Sequence, residues 1–201
     1  MADDSAPINL TNHFLIAMPG LSDELFGRSV VFMCEHSERG ALGLVINKPS
    51  DIRVPRLFEK VDLTLGRDDL VDTPVFQGGP VQTERGFVLH EAVSSEAVGD
   101  GEVESVYAST LTIPGGLEMT TSRDVLEAMA MGGGPRRVFI TLGYASWAKG
   151  QLESELAENA WLTVAADRAV IFDTPVEQRY EAAMGLLGLQ PWMLAPDAGH
   201  A

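Results

Sequence analysis

Three groups of residues have types and spacings that could do chemistry. Cys34 and His36 stand two apart in an apolar run, so an extended chain projects both from one face, with Glu35 on the other. Two residues of rise separate them by roughly 7 Å, too far for a direct thiol–imidazole hydrogen bond. The pattern therefore describes a small buried thiol with a histidine at the loop edge. Glu35, His36 and His90 form a second group, offering carboxylate and imidazole for base catalysis or a divalent ion. None of the four histidines (His13, His36, His90, His200) stands at a paired metal-ligand spacing, so neither a metal nor a cofactor is expected. The third group is Gly143-Tyr-Ala-Ser-Trp-Ala-Lys149-Gly150, in which Gly and Lys are spaced as in a phosphate-binding P-loop. Position 148 is Ala where that loop needs Gly, and position 150 is Gly where it needs a hydroxyl. A structural turn between a strand and a helix is the expectation there. Gly78-Gly79-Pro80 and Gly132 to Pro135 likewise read as tight turns rather than anion cradles.

The elements that must position these residues follow from periodicity and turn chemistry. Asn12 to Met18, Ser29 to Glu35 and Ala41 to Ile46 are strand-like, the last two joined by a polar loop from His36 to Gly40. Ser22 is placed to cap a short turn that Gly27 ends. A short helix is expected from Val54 to Val61. Strands are expected at Val75 to Gln77, Gly86 to His90, Val106 to Leu111 and Val138 to Leu142. Thr121 and Asp124 have capping-box spacing, which starts a helix near Arg123. Gln151 to Glu158 reads as an amphipathic helix, with Glu153 and Glu155 pointing apart. Trp161 to Ala165 and Ala169 to Phe172 read as a hairpin turning at Asp167-Arg168. Thr174-Pro175-Val176-Glu177 predicts a capped final helix burying Tyr180, Met184 and Leu187, ended by Gly188. A strand-rich first half and a mixed second half define an α+β protein.

Composition bounds what such a protein does. Of 201 residues, 29 are acidic and 14 basic, giving a formal charge of −15. The basic residues are scattered, and none lies between Arg85 and Arg123, where an acidic surface loop is expected from Ser94 to Glu104. Phosphate contacts need clustered cations, so direct DNA binding is disfavoured. No apolar run reaches the roughly 18 residues of a membrane span, and no membrane association is expected. The opening Met1-Ala2-Asp3-Asp4-Ser5 has neither the basic nor the apolar region of a signal peptide. Cys34 is the only cysteine, which excludes an internal disulfide. A cytoplasmic location is expected.

Several longer segments carry a family resemblance. His13-Phe-Leu-Ile-Ala-Met-Pro19, Glu35-His36, Gly40-Ala-Leu-Gly-Leu-Val-Ile-Asn-Lys-Pro49, Gln77-Gly-Gly-Pro-Val81 and Arg85-Gly-Phe-Val-Leu-His90 resemble the AlgH/YqgE family of bacterial proteins. So do Ser122-Arg-Asp-Val-Leu126, Leu142-Gly-Tyr-Ala-Ser-Trp147, Gly150-Gln-Leu-Glu153 and Asn159-Ala-Trp161. Ser146 departs from the pattern, where Gly is expected before Trp147. The opening residues 1–7 read as a flexible tail, and the resemblance implies one α+β domain over residues 8–201, with a strongly twisted, largely antiparallel sheet packed by several helices. It carries over no catalytic residue and no cofactor.

The functional expectation is a binding or regulatory domain acting through a protein or small-molecule partner. Its candidate surface is Glu35, His36, Asn47, Arg85, His90, Trp147, Gln151 and Glu153, family-motif residues that packing alone does not obviously demand. Two alternatives stand beside it. One is a transcriptional regulator, implied by the link of one family member's name to alginate production. The other is a hydrolase using Glu35, His36 or His90.

Overall fold

The structure, a computed structural model, describes residues 8–21, 23–92, 106–190 and 193. The tail expected over residues 1–7, the cap at Ser22 and the acidic loop from Ser94 to Glu104 lie outside the described residues. In chain order the elements are β1 (His13–Ala17), β2 (Val30–Ser37), β3 (Gly40–Val45), β4 (Pro49–Arg53), α1 (Val54–Lys60), β5 (Pro74–Gln77), β6 (Val81–Glu91), β7 (Thr110–Ile113) and β8 (Leu117–Thr120). They continue with α2 (Arg123–Ala130), β9 (Val138–Ala148), α3 (Gln151–Ala157), β10 (Trp161–Ala165), α4 (Arg168–Phe172) and α5 (Arg179–Leu186).

β9 joins the two halves of one curled sheet, in the order β10-β1-β2-β3-β9-β6-β8-β7. Its C-terminal half pairs antiparallel with β3, from Gly43 against Ala145 to Gly40 against Ala148. Its middle pairs in parallel with β5 through Thr141 and Leu142, and its other edge pairs antiparallel with β6. Every other strand pairing is antiparallel, so the protein is an α+β domain with a largely antiparallel sheet.

β1 and β2 are apolar at nearly every position because both of their faces are covered. Phe14, Ile16, Phe32 and Leu44 pack against α4 and α5 through Ile171, Ala183 and Met184. The alternate residues Leu15, Val31, Met33 and Val45 face Leu152 of α3, with Trp147 and Trp161. A third cluster lies under α1 and α2, where Phe58, Val125 and Met129 cover Val75, Val88 and Ile140.

Several elements differ from the sequence reading. Ala169 to Phe172 belongs to helix α4, not to a strand, because the Asp167 side chain caps it by accepting from the Ala169 amide at 2.9 Å. β9 runs straight through Gly143 to Ala148, so no turn interrupts it there. β4 and β8 are strands in stretches to which the sequence reading assigned no element. The strand expected at Val106 to Leu111 begins only at Thr110, and Ser122, not Thr121, holds the N-cap position of α2. A 3-10 turn at Val176–Gln178 precedes α5. Thr174 does not cap it; its hydroxyl donates to the Ala169 carbonyl at 3.0 Å. Tyr180 and Met184 are buried as expected, whereas Leu187 is 36% exposed.

Candidate functional site

The site is built on a backbone crossing. Between β5 and β6 the chain passes the gap where β3 ends beside β9. Gly78 donates its amide to the Leu142 carbonyl at 2.9 Å and accepts from the Val45 amide at 2.9 Å. The Gln77 amide donates to the Lys48 carbonyl at 2.8 Å. There is no room for side chains: a Cβ on Gly78 would stand 2.3 Å from the Gly143 oxygen, and one on Gly79 2.2 Å from the Tyr144 carbonyl carbon. Gly79 also has φ +154, and Gly143, at φ +77, takes a left-handed conformation inside a strand. The glycines of both motifs therefore serve close backbone packing.

Over this crossing lies a cleft of about 350 Å³. Its apolar walls are Leu25, Phe26, Val45, Pro80 and Leu142. Asp23 shapes the wall bearing Leu25 and Phe26, since its carboxylate accepts from both amides, at 2.7 and 2.9 Å. The polar groups are Lys48, Ser50, Gln77 and Thr83. Lys48 donates to the Leu25 carbonyl at 2.5 Å. Burial pulls its ammonium below the ordinary lysine range, and the charge of Asp23 partly offsets that pull. An ammonium has three donors, and this bond uses one. The Ser50 hydroxyl is committed to the Val75 carbonyl at 2.5 Å. Gln77 and Thr83 are exposed, and their side chains have no partner among the described residues. The cleft thus offers an apolar body site beside a cation and two free hydrogen-bonding groups.

The eight residues singled out from the sequence are distributed over four places. Asn47 lies beside the cleft but is occupied: its side-chain oxygen accepts from the Val30 amide at 2.9 Å, and its nitrogen donates to the Arg28 carbonyl at 2.8 Å. Arg85 is exposed, donates to Gln82 and Thr121 at 3.3 and 3.4 Å, and lies over the Phe87 ring. His90 is buried within β6. Its Nδ1 donates to the Glu91 carbonyl at 2.8 Å, and its Nε2 shares a hydrogen bond with the Thr120 hydroxyl at 2.8 Å. Buried Glu118 approaches the same ring at 4.0 Å.

The remaining residues gather where β2, β3, the end of β9 and α3 meet. His36 accepts the Leu10 amide on Nδ1 at 3.0 Å, which leaves Nε2 protonated to donate to Glu153 at 2.8 Å. Glu153 sits in the first turn of α3; its own backbone amide and then His36 hold its carboxyl below the usual range. Gln151 accepts from the Ala148 amide at 3.0 Å. Trp147 is buried against Phe26 and Trp161, with ring centroids 6.4 and 6.2 Å away. Glu35 is exposed along an open groove beside Ser37, Arg39 and Trp147.

Cys34 and His36 do not share a face. The β2–β3 register passes from Met33 opposite Gly43 to Glu35 opposite Leu42, leaving Cys34 as a bulged extra residue. Alternation shifts there, so Cys34 joins the core under α5 while His36 meets Leu10 and α3 on the other side. Burial pushes the Cys34 thiol far up, with the charge of Glu35 adding to the effect. His36 and His90 are also far apart. They align through the sheet with Trp147 and Val138, nine residues apart on β9, on the order of 30 Å at strand rise. Among the described residues no group of three or more His, Cys, Asp or Glu side chains could hold a metal ion.

A curled sheet pinned by one long strand, with a Gly-Gly crossing against that strand, defines the class. The chain belongs to the AlgH-like family, whose profile matches residues 14–192. UPF0301 proteins of Polaromonas sp. strain JS666 and Variovorax paradoxus are each 72% identical to it over 201 residues, covering all of both chains. The solution structure of the AlgH protein from Pseudomonas aeruginosa is similar with a TM-score of 0.74 and 46% identity, over 98% of each chain. A crystal structure of a Corynebacterium diphtheriae protein, 21% identical over 89% of this chain and 87% of its own, shares the fold with a TM-score of 0.67. Among the described residues no helix is long and apolar enough to cross a membrane.

The sequence reading passed over Lys48 and Gln77. Both stand inside segments that carried the family resemblance, and Lys48 is the one lysine of three that does. A lysine between a strand end and a proline, in an otherwise apolar segment, was the available signal.

Proposed function

We propose that this chain is a binding domain whose ligand is a small organic molecule seated in the cleft over the Gly78–Gly79 crossing. The observation that carries this reading is the half-buried Lys48 ammonium, held by a single carbonyl at the mouth of an apolar cleft of about 350 Å³. A ligand with an apolar body and an acceptor or anionic head fits that arrangement, with Gln77 and Thr83 as further hydrogen-bonding groups. Binding rather than turnover is supported by the histidines. Both ring nitrogens of His36 and of His90 are engaged within the chain, which leaves neither free to take a substrate proton. The single buried cysteine suits the cytoplasm.

Any regulatory role runs through that ligand or a protein partner, not through direct DNA contact. The net charge of −15 opposes approach to a polyanion. Titration into labelled duplex DNA at about 0.15 M salt, where screening extends roughly 8 Å, should show no saturable binding. Sub-micromolar binding that survives excess nonspecific competitor overturns this part.

The cleft is tested by amide chemical-shift mapping of the ¹⁵N-labelled protein against a fragment library. Binding fragments should shift Val45, Gln77, Gly79 and Thr83 together, and Lys48→Met should abolish the shifts of anionic fragments. A library that leaves these amides unmoved overturns the reading.

A further inference from the structure

We infer that a second cleft, at the N-terminal end of β9, binds a small organic anion with a phosphate or carboxylate head and an apolar body, clamped between Arg179 and Arg136. The cleft measures about 290 Å³ and opens between the turn at Asp68–Leu70, the start of β9, and helices α4 and α5.

Arg179 is the anchor. It is 94% buried by side-chain and backbone together, being only 6% exposed, and it lines the cleft. Its Nη1 donates to the Ile46 carbonyl at 2.5 Å and its Nε to the Thr174 carbonyl at 3.0 Å. Its guanidinium lies over Phe76 and Phe139, 5.0 and 5.6 Å from their ring centroids. A guanidinium has five N–H donors, and these two bonds leave three without a partner among the described residues. No carboxylate among the described residues forms an ion pair with it. The charge of Glu177 favours the cation without pairing with it, so a buried guanidinium beside aromatic faces, with donors to spare, still has room for a directly bonded anion.

The surrounding charges sharpen the point. Asp69 is matched by Arg67 at 2.7 Å, and Arg137 by Asp173 at 2.7 Å with Glu91 at 3.5 Å. Arg136 lines the cleft, is exposed, and has no side-chain partner among the described residues. Two cations without an ion-paired carboxylate among the described residues therefore face one cavity in a chain of charge −15. Asp69, Thr73 and Arg137 also line the cleft, and its apolar walls are chiefly Leu70, Phe172 and Val176. Planar, forked guanidinium groups match a phosphate or carboxylate head in two-point contacts, and the walls take the body.

Phenyl phosphate, benzoate and inorganic phosphate are the probes, titrated into the ¹⁵N-labelled full chain in low-chloride buffer. Phenyl phosphate or benzoate should saturate with shifts at Leu70, Phe139, Phe172 and Arg179, and the better of the two should bind about tenfold more tightly than inorganic phosphate because its ring leaves water. Which of the two binds tighter distinguishes a phosphate from a carboxylate ligand. Arg136→Ala, an exposed substitution, should weaken binding about three- to tenfold, and Arg179→Lys, which keeps the charge but loses the fork, by more than tenfold. If Arg179→Lys does not fold, Arg136→Ala decides alone. No saturable shift at millimolar probe overturns the inference. So do shifts confined to the Lys48 cleft, or affinities that Arg136→Ala leaves unchanged.

Discussion

Apart from His90, whose ring is satisfied beside Val138, the polar groups singled out at the two ends of β9 stand in opposite conditions. At the C-terminal end, near Trp147, the site groups named from the sequence are satisfied within the chain: buried His36 between the Leu10 amide and Glu153, and exposed Gln151 against the Ala148 amide, while one oxygen of neighbouring Glu155 is buried without a hydrogen bond. At the N-terminal end, Arg179 keeps three donors in reserve and the Arg136 side chain has no partner among the described residues. A buried polar group whose bonds are all made within the chain is committed to holding the fold. One with bonds to spare keeps its capacity for something outside. Lys48, near the middle of the strand, belongs to the second kind, with one carbonyl for three donors.

The largest effect should come from the middle, where the contrast depends on the crossing. Gly79→Ala forces a Cβ to within 2.2 Å of the Tyr144 backbone at φ +154. The cost should exceed about 3 kcal/mol, enough to lose much of a typical domain's stability. A urea midpoint close to wild type would show that the crossing can shift, and the Lys48 cleft with it.

Next in size is Arg179→Met, which removes the donor to the Ile46 and Thr174 carbonyls while retaining apolar bulk against Phe76 and Phe139. Two unsatisfied carbonyls should cost about 2 kcal/mol, offset in part by relief from burying an unpaired cation. Burial pushes the guanidinium down to about 10, so it remains charged at neutral pH. A bound anion should widen the gap between wild type and variant, because only wild type gains from the ligand. A gap that phenyl phosphate does not change would place Arg179 with the committed groups at the other end.

The contrast also marks what the sequence could disclose. β1 to β3, α1, β5 and α3 were legible because their apolar patterns and turn residues agree. α4 was not, since Ala169-Val-Ile-Phe172 is rich in strand-forming residues, and a cap at Asp167 with burial of Val170 and Ile171 overrides that propensity. β9 was cut short at Leu142 because Gly143 reads as a stop, whereas it is a close-approach glycine inside the strand. The bulge at Cys34 left no mark in the residue pattern and moved His36 to the other face. Site legibility fails for a related reason. His36, Glu153 and Asn47 look functional by type, and only three-dimensional partners reveal them as occupied. Arg179, hidden beside Tyr180 in a helix, looks like a surface cation until Phe76 and Phe139 close over it.

A smaller effect tests Lys48. The chain has three lysines, and Lys60 and Lys149 are exposed. Burial lowers the Lys48 value, so the unfolded chain holds that proton to higher pH than the native one does. Stability from this group therefore rises with pH between the lowered native value and the ordinary one near 10.4. In labelling with acetic anhydride across a pH series, Lys48 should reach half-modification at lower pH than the other two. Equal midpoints, read by mass spectrometry, would remove the special character of the cleft.

The smallest effect belongs to the satisfied end. Glu153→Gln keeps an oxygen to accept from His36 Nε2 and loses only the charge, so at pH 7 it should cost about 0.5 kcal/mol, less than a full hydrogen bond, for a side chain that is 44% exposed. Its native carboxyl lies below the usual range, so the stability it adds is present above the unfolded value near 4.3 and is lost as pH falls through the native one. The unfolding curves of wild type and Glu153→Gln should therefore differ at neutral pH and converge in acid. Fragment and anion binding should be unchanged, because neither cleft is lined by His36 or Glu153. A loss of more than about 2 kcal/mol would exceed what one partly exposed hydrogen bond supplies, and the contact between His36 and Glu153 would then be holding α3 against β2 rather than merely satisfying a buried ring.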